Sequence, residues 1–518
     1  MSTARNRREF LADVGRGMLM ATVGCEIAGQ LGLAAEAPEP AAKALNFGPM
    51  EPLVCLMQET PANRLVAELV KQMEAGVNLR RLTAAAALAN ARTFGGEDYV
   101  GFHTMMALAP AFHMSQELPA ELQPLPVFKV LFRNTNRIQE RGGRKDEVLK
   151  LVEPGKTAVV QEEQLRDAIR HKDVNSAELT FANLARHSVD EAFNDLLMAV
   201  QDQTEVHRVV LPYRAWDLLG LIGQDQAETL LRQSVHYCIK AESWPRGPHT
   251  DEPRSLLPKI MEEHKLLGRV VGNRTADDKW VEEMSQTIFR SSPTEAAAAA
   301  AASLSEGMSP ATLGEAISLA ANQLVLRDHG RLASAELAGK PIGSVHGDSI
   351  GVHACDSANA WRNLARVSNP RNCYASLILG AYQVALDRTA RGGDFLNWEP
   401  LPLAVHLTQI HTTDAPGLLR ETDEAIRGNL QAHAAALVQR YGELGFEPRP
   451  LFDLLLRYAV SEDGALHAEK YYRTVSEEFA ATRPAFRWRQ LVALARVTAS
   501  EFGRPAPGLT EARALLKV

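Results

Sequence analysis

The sequence predicts an all-α protein built as a solenoid-like array of helical hairpins, with packed antiparallel helices. Three observations predict it. Between its punctuating prolines and glycines, almost every segment repeats its apolar residues at three and four positions, strand-like alternation is nearly absent, and helix-start signals recur along the chain. Leu65, Leu69 and Met73 form one apolar stripe, widened by Val66, Val70 and Val77, and Thr60-Pro61 precedes it as a start signal. Ser188-Val189-Asp190-Glu191 and Ser292-Pro293-Thr294-Glu295 have capping-box order, and Ser309-Pro310 opens a further helix. Later helical stretches are expected over 374–387, 418–441, 451–460 and 484–502. The alanine run 296–302 reads as a closely packed helix, because alanine lets two backbones approach.

The first forty residues read differently. Arg7-Arg8-Glu9-Phe10-Leu11, a short apolar run over 17–24 and the small residues Ala35-Glu36-Ala37 match a twin-arginine export signal, so residues 1–37 are expected to be an address outside the fold. The expected destination is the periplasm. Cleavage near Ala37 fits better than lipoprotein processing at Cys25, which lacks the usual leucine three residues earlier. The roughly 480 residues that follow suffice for two lobes, 38–250 and 251–518, which could equally form one continuous domain. Connectors rich in proline and glycine are expected at 117–126, 244–258, 330–351 and 391–402.

Composition excludes several functions. Charged residues make up 23% of the chain with a net charge of −7 and both signs interspersed, which argues against nucleic acid and anionic lipid as partners. No apolar run after the signal is long enough for a transmembrane helix. Cys25, Cys55, Cys238, Cys355 and Cys373 lack Cys-x-x-Cys spacing, so neither a thiolate zinc site nor a redox pair is expected. Buried free thiols are the expected state of the last four. A P-loop and a dinucleotide fingerprint are both missing.

The chemistry-bearing candidates are histidines inside apolar helical segments. Among the fifteen in the chain, His103, His207, His353 and His467 each have apolar neighbours, as suits a neutral imidazole that binds a metal through one ring nitrogen while the other is oriented by an acceptor. A buried polar network is the plainer reading of any one of them. No His-Glu-x-x-His or repeated Glu-x-x-His motif is present, so a site would have to be assembled from distant helices. His346 and His353, seven apart, and His406 and His411, five apart, would share a face only on continuous helix. Asp356 lies one helical turn from His353, and Lys470 and Tyr471 stand likewise to His467; with Asn359 they are candidate orienting or substrate-facing groups.

At these segments the chain resembles the questin oxidase-like family, all-helical proteins named for an oxygenase that opens an anthraquinone ring. Gly351-Val352-His353-Ala354-Cys355-Asp356-Ser357-Ala358-Asn359-Ala360 is similar to that family's Phe-His-Gly-Val-Thr-Gly-x-His segment. Ser461-Glu462-Asp463-Gly464-Ala465-Leu466-His467-Ala468-Glu469-Lys470 is similar to its Asp-Gly-His-x-x-Lys segment, with His467 displaced by two residues. Val206-His207-Arg208-Val209-Val210 with Leu219-Gly220, and Gly101-Phe102-His103, resemble its other histidine segments. The resemblance implies an oxygenase-like pocket between helices, with the four histidines as ligands or acid/base groups. Its expected cofactor is a transition metal, iron before others, and its expected substrate a bulky, largely apolar organic molecule. A non-catalytic helical scaffold that binds a periplasmic protein or peptide is the competing expectation.

Overall fold

The computed structural model describes residues 43–153, 163–246, 248–336, 342–345, 347, 349–390 and 394–518. The export signal expected over 1–37, Cys25 and His346 lie outside them. The described residues form twenty-three α-helices and no strand, with extended pairing limited to isolated bridges such as Arg274 with Met308. The protein is all-α. Residues Asn46–Val518 form one compact unit, with no division at the 244–258 connector.

Local signals explain most of the elements. The helix Ala62–Glu74 buries Leu65, Val66 and Leu69. Ser292 closes a full capping box with Glu295 at the start of Pro293–Ser305, and Ser188 caps the helix Val189–Val200 through the Glu191 N–H. In Pro293–Ser305 the alanines Ala296, Ala297, Ala300 and Ala301 are buried, and this helix packs on Pro370–Ala390.

Two expectations need correction. The helix expected over 418–441 is two, Ala415–Arg427 and Gln431–Glu443, because the chain turns at Asn429 with φ 54°. The connector expected over 244–258 is largely the helix Pro248–Glu263. Its buried stripe of Leu257, Ile260 and Met261 outweighs the prolines at 253 and 258, which sequence reading takes as breakers. Of the 330–351 connector, the described residues before Ile350 keep loop character apart from one short turn of helix at Ala333–Ala335. Arg331 pairs with the Gly343–Ser344 backbone, and a Cβ at Gly330 (φ +85°) would lie 2.2 Å from the Gly343 carbonyl oxygen.

Four helices hold the centre: Tyr99–Gln116, Val206–Ile222, Ile350–Val367 and His467–Ala481, each named below for its histidine. The His103 helix packs on the His207 helix, that on the His353 helix, that on the His467 helix, and the last returns to the first. The ring thus closes in chain order. All four histidines lie within the first five residues of their helices, so four helix N-termini converge on one place.

Candidate functional site

The start of each helix is fixed by its own local chemistry. Asp98 caps the His103 helix by accepting the Gly101 N–H at 2.8 Å, and it is held by Arg137 (2.6 Å) and Arg141 (2.7 Å). Ser349 caps the His353 helix. The His207 helix has a glutamate as its cap. Glu205 is long enough to accept the Arg208 N–H on one oxygen and the His207 Nδ1–H on the other, at 3.0 and 2.6 Å. The His467 helix begins after three consecutive left-handed residues, Gly464, Ala465 and Leu466, with φ of 49°, 47° and 69°. For the alanine and leucine this conformation costs about 1–2 kcal/mol each, and it turns His467 inward. Gly347 lies against that ring: a Cβ there would come within 2.2 Å of the His467 Cβ, and its N–H donates to Glu501 at 2.8 Å.

The four rings meet as two pairs. His103 Nε2 lies 3.2 Å from His207 Nε2, and His353 Nε2 lies 3.1 Å from His467 Nε2. Ring centroids across the pairs are 5.3 Å apart for His103 and His467 and 5.8 Å for His207 and His353. His103 Nδ1 donates to the Tyr99 carbonyl at 2.7 Å, and His207 Nδ1 to Glu205. With both Nδ1 atoms donating, the two Nε2 atoms face each other. Two lone pairs at that distance repel unless a proton or a metal ion lies between them. Nitrogens bound about 2.0–2.1 Å from one tetrahedral ion lie about 3.3 Å apart, close to both observed separations. Among the described residues no three His, Cys, Asp or Glu side chains stand ready-made as ligands of one ion, so a shared ion would need small ring rotations.

At His103 and His467 the electrostatics favour the neutral imidazole. Burial, then the Lys470 ammonium, then the neighbouring histidines hold His103 and His467 well below the usual imidazole range. Burial also brings Lys470 down to about 8, against Asp356 and Glu469, which favour its charge. Asp356 is raised by burial, opposed by Lys470 and by a 2.8 Å hydrogen bond from Thr474. Burial would raise Glu205, but His207 and the hydrogen bonds from His207 and Tyr237 outweigh it and hold the carboxyl at about 2.

The other predicted residues separate. Lys470 and Asp356 form a buried charged layer next to the histidines. Tyr471 is buried beside Cys355, and Asn359 reaches a different cavity on the far half of the His353 helix. His406 accepts the Leu403 N–H at 3.0 Å in a short helix elsewhere. Cys55, Cys238, Cys355 and Cys373 are free thiols, the last three buried.

A cavity of about 330 Å³ reaches the cluster from the side of His353, lined also by Glu205, Gln383, Asp387, Ile350 and Trp244. Sequence reading missed Glu205 and Asp387. The first had a faint signal, a carboxylate at a helix start two residues before a histidine. The second had none, because only the packing of the Pro370–Ala390 helix on the His353 helix brings it there. Comparison of the chain with family models, curated proteins and solved structures gave no match.

Two predictions follow from this shell. Glu205→Ala removes a helix cap and orphans the buried Tyr237 hydroxyl, which donates to Glu205 at 2.7 Å. A loss of about 2–4 kcal/mol is expected in urea unfolding, with Glu205→Gln losing much less. Asp387 is pushed well above the usual carboxyl range by burial and then by Glu205. The folded state therefore holds a proton that the unfolded chain releases near pH 4, and that stabilisation is lost as pH rises toward the folded value. Unfolding midpoints of Asp387→Asn should accordingly be flatter across acidic to neutral pH than those of the parent.

Proposed function

We propose that the protein is an exported oxidoreductase of oxygenase type. In this reading the four-histidine cluster holds a transition metal, iron before others, next to a cavity that admits a largely apolar organic substrate. The observation that carries the reading is the pair of facing Nε2 atoms at 3.2 and 3.1 Å, contributed by four helices that the chain brings together from distant positions. The Tyr99 carbonyl and Glu205 turn the His103 and His207 Nε2 atoms toward each other, as two ligands of one ion would be turned.

Such an ion, when bound, would supply one-electron and dioxygen chemistry. The chain's own residues do the rest. The Tyr99 carbonyl and Glu205 fix which nitrogen of His103 and His207 faces inward, and Lys470 with burial keeps His103 and His467 unprotonated. The 330 Å³ cavity lies at the lower end of ordinary ligand sites, about 300–1,000 Å³. The protonated Asp387 carboxyl in its wall is placed to donate a hydrogen bond to a substrate oxygen, and Trp244 and Ile350 supply apolar contact. The resemblance of the histidine segments to questin oxidase-like proteins agrees with this reading, and the Arg7-Arg8 segment agrees with export after folding. No helix among the described residues is long and apolar enough to cross a membrane.

The test is the metal content of the full chain, expressed with iron, copper, manganese and zinc supplied and purified without a histidine tag or chelator. Near-stoichiometric metal is expected. Folded protein that is metal-free and takes up none on titration would overturn the reading.

A further inference from the structure

Lys470 stands apart from the other buried cations. It is 3% exposed, and among the described residues its ammonium has neither a hydrogen-bond acceptor nor a carboxylate within ion-pair distance. Every other buried lysine or arginine there has at least one such partner. Lys129 has Glu469 at 2.6 Å, Arg208 has Glu242 at 3.2 Å, and Arg496 donates to the Val325 and Asp328 carbonyls. The Nζ atom is not sealed off, unlike the orphaned Arg208 Nε: it keeps accessible surface and so borders open space inside the fold.

The groups around that space do not neutralise the charge. Glu469 is taken by Lys129. Asp356 accepts the Thr474 hydroxyl at 2.8 Å, and burial favours its neutral form. The remaining neighbours are His103 and His467, which feel the Lys470 charge, and Arg214, a second cation shared by Glu477 and Asp217. A water molecule would satisfy the N–H groups but not the charge, and an uncompensated buried charge is strongly destabilising. Lys470 lines neither the cavity beside His353 nor the one at Asn359, so a ligand at its tip is small.

We propose that a small monovalent anion, of the size of azide or formate, binds on the Lys470 side of the histidine cluster, with the Lys470 ammonium as its counter-ion. Its tighter binding rests on the metal reading above, since an ion held by the imidazoles adds positive charge beside the anion; the metal-free chain keeps the Lys470 half of the site. The test is calorimetric titration of the full chain, as purified and after incubation with zinc, with sodium azide and sodium formate. Gluconate, too bulky for the space, serves as background salt. Saturable one-to-one binding is expected, with azide and formate competing and with higher affinity in the zinc-loaded chain. Lys470→Met, which keeps the length of the side chain without its charge, should weaken both anions about thirtyfold or more. Its melting temperature should not fall, because no charge is left to bury. Absence of saturable binding in both states, or unchanged affinity in Lys470→Met, overturns the proposal. Zinc uptake without anion binding overturns it and leaves the metal reading standing, whereas anion binding that is lost in Lys470→Met, without zinc uptake, does the reverse.

Discussion

Replacing His207 and His353 together with alanine is expected to abolish metal binding while the helical circular dichroism spectrum persists. Each substitution breaks one of the two nitrogen pairs, so no pair survives. Structural sites of four ligands bind zinc with about 10–16 kcal/mol, or roughly 3 kcal/mol per ligand. Losing two ligands should then weaken binding by about four orders of magnitude, and either single variant by about two. Both rings are only partly buried, so alanine opens no sealed void in the core. Metal added to the parent chain should raise its melting temperature, since an ion that binds only the folded form stabilises it. The double variant should show no such rise. Retention of stoichiometric metal in the double variant would place the ion elsewhere.

Lys129→Met is expected to have the largest effect on stability, a loss of about 3–5 kcal/mol. The Lys129 ammonium is fully buried on the helix Pro124–Glu140, 2.6 Å from the equally buried Glu469. It also donates to the carbonyls of Ala459, at 2.8 Å, and Glu462. One cation thus ties the turn before His467 to the first third of the chain, and methionine would leave a buried carboxylate and two carbonyls without their donor. Lys129→Met combined with Glu469→Leu should recover much of the loss, because an apolar pair of similar volume has no charge to desolvate. Chemical denaturation of the three variants checks both statements. The left-handed turn that sets His467 depends on the same anchor, so metal affinity should fall with stability in the single variant and recover in the pair.

Much of the fold was legible because helices announce themselves locally. Ser188, Ser292 and Ser309 cap where their spacing says they should, and the stripe through Leu65 and Leu69 is buried as its period requires. Misreadings arose where tertiary packing overrode punctuation, as in Pro248–Glu263, or where one left-handed residue, Asn429, split a continuous apolar pattern. The site was legible only as a set of residue types. Apolar neighbours marked His103, His207, His353 and His467, but nothing local says that the first faces the second and the third the fourth. Asp387 and Gly347 act through approaches between segments far apart in sequence, which leave no periodic trace. Asn359 shares a helix with His353, yet about one and two-thirds turns of rotation and rise send it to another cavity.

The closed ring of helices also has a temporal meaning. His103 and His467 are separated by 364 positions (467 − 103), so at about 5–20 residues per second a ribosome takes roughly 20–70 s to deliver the last ring after the first. During that interval the histidine pair on the two earliest helices has no enclosure, and the Lys129 ammonium has neither Glu469 nor the Ala459 carbonyl to receive it. The helix that begins at His467 therefore acts as the keystone: nascent chains released before it carry an open, half-built site.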